Sequence, residues 1–558
     1  MPFRAEGLGY AGWWCAGCLG TVCNIGQGYE GMKLRADIGQ AYRDIHSWVG
    51  ILCGLFLFVA FYAGSISMFE QPLQSWLTPE AALPQPVKLD DTPLLVQKAL
   101  MEHPEADRHY NIVINPAPAQ PARLMWPQDP AHRGHGPQDF VFAALSPAGE
   151  LVTATRRPSE IPFFIDQLHE QVGLPLPHTL ARYVMGCVAL AYFLALVSGI
   201  VAFLPALKKM LFAVRLDTSP RKVWLDLHNL LGFFSLPFHC VIALTAAIFA
   251  FHEPVFTVQE KLFHSAPSKE QNLAHGHKQA EGRRLQGNTS LVGKEILMPP
   301  SDLLRTLQQQ APGFVVEVLE YTASHAKGQS GPTLRVSGHD ERYPMRGATN
   351  GFAMVDPVSG KILSADYLPG HQPTGLAVLT AFFALHFGSY GGLPVRWGYY
   401  CLGVGGAFLF YTGNRLWILA RLRREQSNTV LSRQTRGTWI LSCLMTGCIT
   451  GCMTGIALLF ICAFFLPLGG SYAQAASIYY AAFVLCMGLA FSLGERLREP
   501  VLFCLAGLVH ICAAPVLLLS ALSAGGVTQT SLCVAAIALV LGVFLLWSVR
   551  QSRCRIAV

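Results

Sequence analysis

The sequence predicts an integral membrane α-helical protein of about eight spans, with two small α+β domains outside the membrane. Three observations lead there. Of its 558 residues, 52% are hydrophobic and only 13% charged, whereas a soluble globular chain carries about 25% charged residues. Mean hydropathy is +0.37, and apolar runs of bilayer-crossing length recur along the chain. Lastly, YRDIHSWVG at 42–50 returns as WLDLHNLLG at 224–232, so the first four spans read as an internal duplication.

Both copies run aromatic, x, Asp, aliphatic, His, x, x, aliphatic, Gly, and both open a long apolar run. His46 and His228 therefore sit at the start of predicted membrane helices. A second pair follows at matching places. IDQLHEQVGLP carries His169, FFALHFGSYGGLP carries His386, and each precedes a further apolar run.

Residues 1–31 read as a leader or extension. Cys15, Cys18 and Cys23 fall in WWCAGCLGTVC, but a single CxxC with no second pair and no nearby His is a weak metal signal. Met32 opens MKLRADIGQAYRDIHSW, which reads as a natural start, and no signal peptide is evident. Residues 32–69 hold the N-terminal segment and span one. Lys33, Arg35 and Arg43 flank it, which assigns the N-terminus to the cytoplasm.

Residues 70–180 form the first outer domain and an amphipathic segment. TPLLVQKALMEHP reads as a helix. HYNIVINP, ARLMWP and DFVFAALSPAGELVTATRR read as strands, the last a hairpin about Pro147-Ala148-Gly149. Residues 181–251 carry spans two and three, joined by a loop with Lys208, Lys209, Arg215, Arg221 and Lys222, a cytoplasmic signal. Residues 252–395 repeat the outer domain and its amphipathic segment. SDLLRTLQQQAPG is its helix, and FVVEVLEYT, PTLRVSG, GFAMVDPVSG and KILSADYLP are its strands. Span four occupies 396–425. Residues 426–558 carry four more spans and end on Arg550, Arg553 and Arg555, which puts the C-terminus inside as well. The outer stretches 70–180 and 252–373 contain no cysteine, so no disulfide framework is implied.

A histidine inside a membrane helix is costly and marks function more often than packing. Two repeats related by an axis along the membrane normal set equivalent positions face to face. His46 then faces His228 near the cytoplasmic side, and His169 faces His386 near the outer side. Facing neutral imidazoles suit the axial positions of a haem iron, and two such pairs make a path for electrons across the membrane. Gly50, Gly232, Gly173, Gly388, Gly391 and Gly392 offer small surfaces to a flat macrocycle, or equally to close helix packing. Asp44 and Asp226, two residues before their histidines, read as solvated acids at the membrane edge.

His239 follows His228 by 11 residues, nearly on the same face of a straight helix. It is the alternative ligand, although its counterpart in the first copy is Leu57. His510 stands alone in the last four spans and reads as a packed histidine. The four duplicated histidines are too dispersed for zinc. The chain shows no GxSxG, HExxH or Walker A motif, no nucleotide-binding GxGxxG domain, and no basic soluble domain for nucleic acid.

At YRDIHSWVG, WLDLHNLLG, LHEQVGLP, LHFGSYGGLP and DPVSGKIL the chain resembles the PepSY-associated transmembrane family, over roughly 32–425. Some members of that family are similar to ferric-siderophore reductases of the bacterial inner membrane that hold b-type haem. The resemblance implies PepSY-like domains in the periplasm, two haems b held by His46, His228, His169 and His386, and a periplasmic ferric siderophore or other ferric complex as substrate. Some relatives carry a fused flavoprotein reductase. This chain has none, so its electrons are expected from a membrane quinol or a separate cytoplasmic reductase. Trp126, Tyr321, Arg342, Tyr343 and Arg346 are candidate contacts on the outer surface. The rival readings are a membrane sensor or assembly factor whose PepSY-like domains bind peptide or protein, and a transporter with rocking halves.

Overall fold

The computed structural model describes residues 36–80, 82–129, 138–203, 219–263, 297–323, 332–345, 351–428, 435–523 and 527–554. The predicted leader with its three cysteines, the start at Met32, Lys208, Lys209, Arg215 and Arg346 lie outside the described residues.

In chain order, α1 (Ala36–Ser67) leads through the short α2 (Glu70–Leu77) into the first outer unit: α3 (Thr92–Glu102), β1 (His109–Val113), β2 (Leu124–Pro127), β3 (Phe140–Leu145) and β4 (Leu151–Arg156). Then come α4 (Ile161–Glu170), α5 (His178–Phe203), α6 (Pro220–Phe234) and α7 (Leu236–Phe263). The second outer unit holds α8 (Pro300–Gln310), β5 (Val315–Ala323), β6 (Pro332–His339), β7 (Gly351–Val355) and β8 (Ile362–Tyr367). It leads to α9 (Thr374–Phe387) and α10 (Gly392–Asn428), then α11 (Arg436–Ala463), α12 (Tyr472–Ser492), α13 (Glu495–Ser523) and α14 (Gln529–Cys554).

Six helices, α1, α5 and α11 to α14, are each long and apolar enough to cross a bilayer. Two further helix pairs are long and apolar enough only together, and both are bent: α6 meets α7 at 68°, and α9 meets α10 at 58°, so the described residues hold six candidate spans, or eight with each pair counted as one. The first break has a local cause. Pro237 stands in the first turn of α7, where its missing N–H cannot continue α6, and Leu55 holds the matching place in the uninterrupted α1. At the second break Gly388 ends α9 at φ +60°, and Gly391 and Gly392 at φ +64° and +66° turn the chain into α10.

The two outer units do not stand apart. Their strands join into one eight-stranded antiparallel sheet in the order β4-β3-β2-β1-β5-β6-β7-β8. The seam is β1 against β5, where Tyr110 lies opposite Tyr321 and their rings stack at 5.0 Å. One core holds both helices on the sheet: Leu95 and Ala99 of α3 and Leu303 and Leu307 of α8 meet Trp126, Leu319, Leu334 and Val355. Trp126 and Tyr321, candidate contacts that also read as structural residues, are buried in it and are structural. Alternation along the strands points them at the covered face. Arg342 is tied to Asp340 at 2.6 Å and to the Pro312 carbonyl, while Tyr343 is exposed.

The sheet is fastened to the helices at two places. The Ser389 hydroxyl donates to the Met345 carbonyl at 2.8 Å, and Gly391 N–H donates to the Glu341 carbonyl at 3.0 Å. On the other side the Glu160 carboxylate accepts from Tyr472 N–H at 2.6 Å, at the start of α12, which Ser471 and Gln474 close with a capping box. α4 is amphipathic and turns one face to the bundle. Phe164, Ile165 and Leu168 are buried, and Phe164 meets the rings of Tyr472, Tyr479 and Tyr480 of α12.

α11 is the central post of the last four helices. A glycine every fourth residue (Gly447, Gly451, Gly455) lets it lie against Met487, Phe483 and Tyr479 of α12, where a Cβ at Gly451 would stand 3.1 Å from the Phe483 backbone. An ion pair between Arg415 of α10 and Glu499 of α13 joins this bundle to the first four spans.

Candidate functional site

His46 of α1 and His228 of α6 come together with ring centres 6.2 Å apart, and His169 of α4 and His386 of α9 do the same at 6.2 Å. Each pair takes one histidine from residues 36–203 and one from residues 219–428. An ion bonded to two imidazole nitrogens at about 2 Å each would hold ring centres about 6 Å apart. Among the described residues no group of three or more His, Cys, Asp or Glu is placed to hold a metal. The histidines therefore come as pairs and not as a zinc-type cluster.

The other ring nitrogens are all engaged. His46 Nδ1 lies 2.7 Å from the Ala195 carbonyl of α5, and His169 Nδ1 lies 2.8 Å from the Ala60 carbonyl of α1. A carbonyl only accepts, so both Nδ1 atoms carry the proton. His228 Nδ1 is 3.0 Å from Thr412 Oγ1 of α10, and His386 Nδ1 is 2.8 Å from Thr245 Oγ1 of α7. These two hydroxyls already donate to the carbonyls of Leu409 and Val241. They too must accept from Nδ1–H. All four rings thus keep the same tautomer, with the lone pair on Nε2. An anchored Nδ1–H that leaves Nε2 free is what metal-bound histidines show. Within each of these two stretches, each histidine is anchored by the helix that bears the other or continues from it.

Glycine makes room for this buttressing. A Cβ at Gly64 would stand 2.5 Å from His169 Nδ1, and one at Gly199 would stand 2.9 Å from His46 Nδ1. Each of these glycines lies one helical turn after the carbonyl that holds the ring. Gly413 approaches His228, with a Cβ to Cε1 distance of 3.2 Å. None of the three stood out in the sequence, because they follow no shared motif. The expected glycines divide. Gly50 and Gly232 leave open space beside their histidines: nothing lies within 4 Å of a Cβ at Gly50, and only Leu409 at 3.7 Å at Gly232. Gly173, Gly388, Gly391 and Gly392 serve the backbone instead, each at positive φ in a turn.

Asp44 accepts from Gln40 on an exposed face, as expected, whereas Asp226 is buried, contrary to its reading as a solvated acid. His239 joins neither pair. The bend between α6 and α7 removes the straight-helix spacing that aligned it with His228. It is 0% exposed, and neither ring nitrogen has a hydrogen-bond partner among the described residues. Phe61, Phe238, Phe410 and Tyr192 surround it at 5.5–6.3 Å. The Tyr192 hydroxyl is likewise unpartnered.

A multi-pass helical membrane protein that brings two histidine pairs together, with an antiparallel sheet fastened outside the bundle, is the class that fold and site define. The sequence matches the profile of the PepSY-associated TM region across residues 43–420, more than half of the chain, and the protein belongs to that family. No curated protein matches the chain.

Proposed function

We propose that this protein is a two-haem membrane reductase that passes electrons across the bacterial inner membrane to ferric iron in the periplasm, held in a siderophore or a similar complex. The observation that carries the proposal is the identical state of the four rings: two pairs, each at 6.2 Å, with every Nδ1–H engaged and every Nε2 without a hydrogen-bond partner among the described residues. Gly50 and Gly232 add open space of the kind a flat ring needs. His46 and His228 would hold one b-type haem, His169 and His386 the other. Bound haem supplies a one-electron couple at each place.

The chain's own residues fix the imidazole orientations through the Ala60 and Ala195 carbonyls and the Thr245 and Thr412 hydroxyls. Both termini lie in the cytoplasm on this reading, and the sheet faces the periplasm, where iron is taken in the ferric state. Ferrous iron holds hard oxygen donors less tightly and leaves the carrier. Electrons come from a quinol or a cytoplasmic reductase. A transporter would favour breaks at a substrate site among intramembrane acids. Here the second break follows His386 directly, and the first falls between His228 and His239.

A reduced-minus-oxidised optical spectrum with a haem-to-protein ratio tests the proposal. A ratio near two, with low-spin b-type bands, is expected. A folded, haem-free protein after growth with ample haem would overturn it. That outcome would favour a peptide-binding sensor or assembly factor, for which the free sheet edges β4 and β8 offer strand pairing.

A further inference from the structure

Between the paired-histidine core and the last four helices lies a cavity of about 270 Å³. α1 and α10 wall one side, and α11, α13 and α14 the other. Its lining is mostly aliphatic, with Phe69, Trp397, Tyr400 and Phe460 adding aromatic faces. The few polar side chains of this mostly apolar lining include Gln529, Thr530 and His510. His510 of α13 is 3% exposed, and its Nδ1–H donates to the Ala506 carbonyl at 2.8 Å. Its Nε2 is therefore a lone-pair acceptor, and it has no hydrogen-bond partner among the described residues. A buried acceptor left open on an apolar cavity calls for a ligand that brings a donor.

We propose that this cavity binds the head group of a membrane quinol, with a ring hydroxyl donating to His510 Nε2. A lipid acyl chain would fill the space but brings no donor. A siderophore is too polar for the walls. A quinol is flat, apolar on both faces, soluble in the bilayer and carries the hydroxyl that Nε2 lacks. Its place in the fold also fits. Tyr62, another lining residue, lies in α1 between Ala60 and Gly64, the two positions that hold His169. A single helix, about 10 Å across, therefore separates the cavity from the outer histidine pair. The use of the quinol as an electron source rests on the haem reading above, whereas its binding does not. The site also gives the last four spans a task that their sequence does not declare.

Calorimetric titration of the full-length, haem-loaded protein in lipid nanodiscs tests this, with a decyl-substituted benzoquinol and its oxidised quinone as probes. The quinol is presented to reduced protein and the quinone to oxidised protein. Saturable binding is expected, with the quinol about tenfold tighter, the equivalent of one hydrogen bond. His510→Leu should remove that preference. Ala513→Leu, which fills the cavity, should abolish binding of both forms, and Ala457→Leu repeats the test if the first variant does not fold. Heats that do not saturate, or that are the same in wild type and variants, mean partition into lipid and overturn the proposal. Equal affinity of wild type for both probes overturns the role of His510. Haem content is measured on the same samples. A haem-free protein that still binds quinol sinks the reductase reading alone, and a two-haem protein without saturable binding sinks the quinol site alone.

Discussion

Nδ1 of His386 stands 2.8 Å from Oγ1 of Thr245, and that hydroxyl donates in turn to the Val241 carbonyl at 2.7 Å. The chain of bonds runs one way, so the ring's protonation is set two bonds from the ring. Thr245→Val keeps the shape and removes the acceptor. Partners of this kind are worth about 10- to 100-fold in metal affinity. On the two-haem proposal the variant is expected to fold and to lose the haem held by His169 and His386 by about that factor in a haem-transfer assay against apomyoglobin, with the other haem unaffected. Thr412→Val should do the converse. Equal loss of both haems from either variant would refute the pairing.

The pairs themselves make a sharper prediction. If the protein holds two haems as proposed, His46→Ala and His228→Ala should each lower the haem-to-protein ratio from about two to about one, and the double variant should be no worse than either single, because groups that act as a unit are not additive. His169→Ala and His386→Ala should remove the other haem in the same manner. A ratio of one in the cross-pair double His46→Ala/His169→Ala, where zero is expected, would break the assignment.

The histidines were legible because a nine-residue motif repeats around them, and the sheet strands because their alternation is regular. What anchors the rings was not. Ala60 and Ala195 contribute backbone carbonyls, which no side chain advertises, and Thr245 and Thr412 look like ordinary hydroxyls in apolar runs. Only one trace existed: Ala195 and Thr412 follow His169 and His386 at the same interval. The bend at Ser235 was missed although Pro237 announces it, since hydropathy alone cannot distinguish a bent crossing from a straight one. The joining of the two outer units into one sheet rests on β1 meeting β5, a contact between residues far apart in sequence.

Glycine substitution separates packing from ligand space. Gly64→Ala puts a methyl 2.5 Å from His169 Nδ1, so the ring or the helix must move whether or not a haem is present. Gly50→Leu meets nothing within 4 Å of its Cβ. It should leave thermal stability of the haem-free protein within about 0.5 kcal/mol, as unobstructed substitutions do, yet weaken the inner haem if a macrocycle lies there. Haem content of Gly50→Leu near two would remove the macrocycle from this face of α1.

Glu70 gives a pH prediction. It lies just past the outer end of α1. Burial first, and then the nearby carboxylates of Asp166 and Glu170, raise its pKa from 4.5 to about 7. The folded protein therefore holds this proton more tightly than the unfolded chain. That contribution to stability is complete below about pH 4.5 and is lost as pH rises through about 7. Glu70→Gln mimics the protonated form. Above pH 7 it should be more stable than wild type, on the order of 1–2 kcal/mol once the partly exposed carboxylate's access to water is allowed for, with the advantage vanishing towards pH 4.5. Thermal unfolding in detergent across that range reads it, and parallel curves for the two proteins would show that Glu70 is not held protonated.

His239 supplies the last test, because an unpartnered buried imidazole costs about 1–3 kcal/mol for each unmet nitrogen. If the ring is only packing, His239→Phe removes two orphaned atoms from a cage already made of Phe61, Phe238 and Phe410, and the variant should be as stable as wild type or more so, with both haems retained. A variant that loses a haem would make His239 a ligand in place of a member of one pair, against the 6.2 Å geometry of both. A variant that keeps both haems but folds less stably would mean that a polar group absent from the side-chain contacts, such as a water shared with the unpartnered Tyr192 hydroxyl, satisfies the ring in the protein. Replacing Tyr192 by Phe should then produce the same loss, and the double variant should add nothing further.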